Sequence, residues 1–100
     1  MSVLNFSETE LTGNPDHTGF REVLVGKKHF RIVEYERNAS HPDWCTTGHV
    51  GFVIEGEIMY ELDTGQISAK QGDGFYLPPG TRHRGHNVFP GTTRFFLTDE

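Results

Sequence analysis

Glycine and proline interrupt most of this chain at intervals of twelve residues or fewer, which leaves little room for helices of ordinary length. The stretches between interruptions are rich in Phe, Tyr, Val and Ile, side chains suited to a pleated, half-buried surface. The pattern predicts an all-β fold with strands at 20–25, 29–37, 49–54, 57–62, 66–70, 74–77, 82–88 and 93–98. Glycines in Glu55-Gly56-Glu57, Asp63-Thr64-Gly65 and Gln71-Gly72-Asp73-Gly74 can take the positive φ that tight turns need. Pro78-Pro79-Gly80 is a rigid corner, because proline donates no ladder hydrogen bond. Short strands joined by tight turns imply a sandwich or a barrel.

One hundred residues suffice for a single domain with a small core. The expected division is an N-terminal arm over residues 1–19 and a barrel over 20–100. The arm lacks sustained alternation, and both a loose segment and a strand pairing across a dimer fit its sequence. A formal charge of −5 repels phosphate backbones and anionic headgroups, so neither nucleic acid nor a membrane surface is an expected partner. No apolar run approaches the length needed to span a bilayer. The opening residues MSVLNFSETE have neither a basic nor an apolar signal region, which points to the cytoplasm.

The lone cysteine, Cys45, has no intramolecular partner for a disulfide, and six histidines accompany it. Strand alternation puts His49, Gly51 and Val53 on one face, opposite Val50, Phe52 and Ile54. A glycine beside an imidazole is expected to leave room there for a ligand or metal. Asp43 and Cys45, two apart, can point the same way, and His83, Gly85 and Asn87 form a third such face. The ordinary alternatives are a buried thiol, core imidazoles bonded to carbonyls, and a turn-stabilising aspartate. For Arg82, Arg84 and His86 a solvated strand face is a plainer reading than an anion site.

Residues 72–87 carry a specific resemblance. Gly72, Pro78, Gly80, His83 and Asn87 stand at the spacing of the second signature of the cupin superfamily, with no gap. In the first signature, counting back from Gly56, His49 stands where that family has glutamate, Asp43 and Cys45 stand where it has its two histidines, and Arg37 replaces the leading glycine. The chain thus resembles a small single-domain cupin, a double-stranded β-helix or jelly-roll-like barrel. The resemblance implies one divalent metal inside the barrel, held by Cys45, His49, His83 and Asp43. Only His83 keeps the family's residue type.

One thiolate with two imidazoles favours Zn²⁺ or Fe²⁺ over Mn²⁺ or Ni²⁺ and over the harder Mg²⁺ and Ca²⁺. Three readings follow: a metal-dependent enzyme of dioxygenase, isomerase or lyase type acting on a small molecule, a non-enzymatic small-ligand-binding or sensory module, and a scaffold with an empty pocket. The resemblance also implies a homodimer.

Overall fold

The computed structural model describes all of residues 1–100. Nine strands, numbered in chain order, and one short 3-10 turn at Phe6–Glu8 make up its regular structure: β1 (Thr12–Gly13), β2 (Thr18–Val25), β3 (Lys28–Tyr35), β4 (His49–Glu55), β5 (Glu57–Leu62), β6 (Gly65–Lys70), β7 (Gly74–Leu77), β8 (His83–Asn87) and β9 (Thr93–Asp99). The eight strands expected from the sequence all form, β5 and β7 with unchanged limits and the others shifted by at most two residues. No helix is long and apolar enough to cross a membrane.

The strands form two sheets, a six-stranded one ordered β1-β2-β3-β9-β4-β7 and a three-stranded one ordered β6-β5-β8. Every pairing is antiparallel. Alternation is clean where it matters. Along β4 the residues His49, Gly51 and Val53 are buried while Val50, Phe52 and Ile54 face out, and along β8 His83, Gly85 and Asn87 are buried. The inner faces enclose Tyr35, Ala39, Val53, Ile58, Tyr60, Ala69, Leu77, Phe95 and Leu97, with Phe75 packed against them.

Three residues of the 72–87 motif show why those types stand there. Gly72 and Gly80 have φ of 92° and 86°, a region open chiefly to glycine. Asn87 is buried, and its side-chain amide donates to the carbonyls of Tyr35 (3.0 Å), Glu36 (2.9 Å) and Gly91 (2.8 Å). It thereby ties the end of β8 to the end of β3.

The segment between β3 and β4 is laid against β8. Cys45 and His83 exchange both backbone hydrogen bonds, at 2.8 and 2.9 Å, and Asn87 N–H donates to the Ala39 carbonyl at 2.9 Å. At the N-terminus, Thr12 and Gly13 pair with Phe20 and Gly19 of the same chain, and Phe6 packs edge-on against Phe96 with ring centres 6.2 Å apart. Both contacts lie within the one chain.

Candidate metal centre

Three of the four residues implied as ligands converge. Cys45 Sγ and one ring nitrogen each of His49 and His83 lie within 4.8 Å of one another. They come from three pieces of backbone: the segment before β4, the first residue of β4, and the first residue of β8. The exchanged hydrogen bonds of Cys45 and His83 make these two residues direct cross-strand neighbours. The two imidazoles meet edge to face, with ring centres 5.2 Å apart. Asp43 lines the same cavity but is exposed, and its carboxylate is not part of this cluster.

The tautomers follow from the partners. His83 Nδ1 donates to the Thr81 carbonyl at 3.0 Å, so the proton sits on Nδ1 and Nε2 carries the lone pair. That Nε2 is a buried side-chain atom with no hydrogen-bond partner, and the residue is 2% exposed. A buried, unpaired polar atom costs on the order of 1–3 kcal/mol unless something meets it. His49 Nδ1 donates to Asp99 Oδ1 at 3.0 Å, which likewise frees its Nε2. A carboxylate behind an imidazole is the usual support of a metal-binding histidine, because it fixes the ring and raises its basicity. Burial holds both imidazoles below their ordinary pKa; the Asp99 carboxylate opposes this at His49, and the Thr81 carbonyl opposes it at His83. Both rings are therefore neutral at pH 7, as ligation requires.

Asp99 is a site residue that the strand assignment missed, since that strand was ended at residue 98. Its signal was nevertheless present: Thr93, Phe95, Leu97 and Asp99 share one parity, so an acid ends a row of inward-facing side chains. The register sets it opposite His49. Arg31 Nη1 donates to the same carboxylate at 3.1 Å, and its Nε donates to Glu22 at 2.7 Å.

Gly51 leaves no room for a ligand beside His49, contrary to the expectation from alternation. A Cβ there would lie 2.6 Å from Phe75 Cε1: the phenyl ring fills the place of the absent side chain. Gly19 and Gly85 border the cavity, and over Gly85 stands the Tyr35 hydroxyl. The cavity measures about 360 Å³, within the range of small-molecule sites, and includes Cys45, His49, His83, Tyr35, Tyr60 and Asp99 in its lining. The outer side of β8 carries no free basic stripe. Arg84 Nε and Nη2 donate to Glu61 at 3.0 and 3.2 Å, His86 Nε2 meets the same carboxylate at 3.0 Å, and Arg82 pairs with Asp63. The guanidinium carbons of Arg82 and Arg84 also lie over the Trp44 ring, at 4.4 and 4.5 Å from its centre.

The family model described as "Cupin domain" matches residues 29–99. Among solved structures, an RmlC-like cupin from Shewanella frigidimarina is 18% identical with a TM-score of 0.77, covering 99% of this chain and 87% of that one. The polyketide cyclase RemF from Streptomyces resistomycificus is 20% identical with a TM-score of 0.80, covering 99% of this chain and 78% of that one. A cupin domain from Schizosaccharomyces pombe is 15% identical with a TM-score of 0.79, covering 93% and 69%. No curated protein sequence matches the chain. The motif at 72–87, the two antiparallel sheets and the family match over most of the chain together show that it belongs to the cupin domain family.

Proposed function

We propose that Cys45, His49 and His83 hold one divalent transition metal, Zn²⁺ or Fe²⁺ in preference to Mn²⁺ or Ni²⁺, and that the cavity around it binds or transforms a small molecule. The carrying observation is the orphaned Nε2 of His83, a buried lone pair facing a cluster with a thiol and a second supported imidazole. Three protein ligands leave a position for a ligand, where a bound metal acts as a Lewis acid. In this reading Asp43 stays at the cavity edge, where its carboxylate is free to meet a proton or a water rather than the metal. Asp99 positions His49. The fold is shared with a polyketide cyclase and a sugar phosphate isomerase, so the centre and not the barrel argues for the function.

The chain is also proposed to act as a homodimer. The outer face of the six-stranded sheet exposes Val50, Phe52, Ile54 and Tyr76 on neighbouring strands β4 and β7, a contiguous apolar surface that a second copy would cover.

Metal analysis of untagged protein purified without chelator tests the centre. Near-stoichiometric transition metal is expected, with Cys45→Ala and His83→Ala each lowering occupancy severalfold. Less than about one-tenth of an equivalent after loading with excess Zn²⁺ or Fe²⁺, or unchanged occupancy in both variants, would overturn the assignment.

A further inference from the structure

Two tyrosines stand unused beside this centre. Tyr35 at the end of β3 and Tyr60 in β5 are each 5% exposed, and both line the cavity. Neither hydroxyl has a hydrogen-bond partner in the protein, yet neither is sealed away from solvent in the manner of His83 Nε2. Both residues line the cavity that holds Cys45, His49 and His83, and Tyr60 also borders a second pocket with Ile67, Phe75 and Tyr76. The rings are fixed: Tyr60 packs edge-on against His83 at 5.6 Å and at a tilt against Phe75 at 5.4 Å, and Tyr35 packs against Phe95 at 5.8 Å. Gly85 is what admits the Tyr35 hydroxyl, since a Cβ at that position would lie 2.7 Å from the oxygen. A phenol is protonated at neutral pH, so each hydroxyl can donate a hydrogen bond.

The remaining cavity charges narrow the ligand. Arg31 is matched by Glu22 and Asp99, and Arg84 by Glu61, so neither arginine is a free cation. A phosphorylated or otherwise multiply charged anion would meet Asp43 and Asp99 with no unpaired arginine to offset them. Phe20, Val33 and Leu97 supply an apolar wall to the same cavity.

From this arrangement we infer that Tyr35 and Tyr60 are the ligand-recognising hydroxyls of the barrel. They donate to the oxygen head of a small, unphosphorylated compound with an apolar body and a single carboxylate or carbonyl group. The inference deepens the metal reading and rests on it for placing the ligand in this cavity. Its own content is the dependence on two hydroxyls.

Benzoate is a suitable probe, titrated calorimetrically into cobalt-loaded and metal-free protein, with inorganic phosphate as the contrast. The visible absorption of thiolate-bound Co²⁺ reports the centre separately. The expected result is benzoate binding that weakens about tenfold in each of Tyr35→Phe and Tyr60→Phe, the loss of one hydrogen bond, while the cobalt spectrum of both variants stays that of the parent. Phosphate is expected to bind at least tenfold more weakly than benzoate. No benzoate binding in either form, equal affinity in parent and variants, or phosphate binding as tight as benzoate would each overturn the inference. Absence of the cobalt band in the parent overturns the metal reading instead, and the titrations into metal-free protein then decide the role of the tyrosines by the same criteria. Tyr→Phe keeps the packed ring, and coincident urea transitions of parent and variants confirm an intact fold.

Discussion

Neutral imidazole is the chemical state on which the centre depends, and burial of His49 and His83 maintains it. Because the folded pKa values lie below the unfolded value of about 6.5, the unfolded chain takes up these protons first as the solution is acidified. The contribution to stability is complete above pH 6.5 and is lost as pH falls from there through the folded pKa values. Metal occupancy falls in the same direction, since protons and metal compete for the same Nε2 lone pairs. The urea midpoint of metal-free protein is expected to drop between pH 7 and pH 5, with a shallower slope in His83→Gln. Equal slopes in the two proteins would show that this imidazole does not titrate as described. At the level of single residues, His83 was legible because its motif is local and ungapped. Cys45 and His49 were legible from strand alternation and from their spacing to Gly56. Asp99 needed the pairing of β4 with β9, half the chain away, and no local pattern encodes that register.

Between strands, glycine positions record close approaches more than they record freedom. Gly51 is the instructive case: its strand, its parity and its neighbour His49 were all read from alternation, yet the occupant of the space above it comes from β7. Phe75 packs there against both Tyr60 and Phe95, with ring centres at 5.4 and 5.8 Å, so the ring cannot withdraw freely from an added methyl. Gly51→Ala is expected to destabilise the protein by about 1–3 kcal/mol, measured as a lowered urea midpoint. Gly13→Ala on the short edge strand, where a Cβ meets nothing within 4 Å, is expected to be near neutral. Equal effects at the two sites would contradict the packing described. Turn positions were accurate for a related reason. The φ requirement of Gly56, Gly65, Gly72 and Gly80 is a property of each residue and its immediate neighbours, whereas the filling of an inner face is a property of strands brought together by the whole fold.

For the molecule as a whole, a 100-residue barrel has little interior, and much of its apolar side-chain area remains on the surface. Phe52, 47% exposed at the middle of β4, lies between Val50 and Ile54 in the exposed apolar row of that strand. Light scattering at tens of micromolar is expected to give about twice the 11.3 kDa chain mass, and Phe52→Lys is expected to return it to one chain. A parent mass of one chain would remove the dimer. The general architecture was readable because periodicity and turn chemistry agree along the chain, while the course of residues 1–19 was not, since two paired residues and one aromatic contact leave almost no periodic trace. The packing of Arg82 and Arg84 over Trp44 has a practical side. The chain contains no other tryptophan, so its entire indole fluorescence arises from the residue next to Cys45, held over the strand that bears His83. The protein thus carries a built-in optical probe one peptide bond from its thiol.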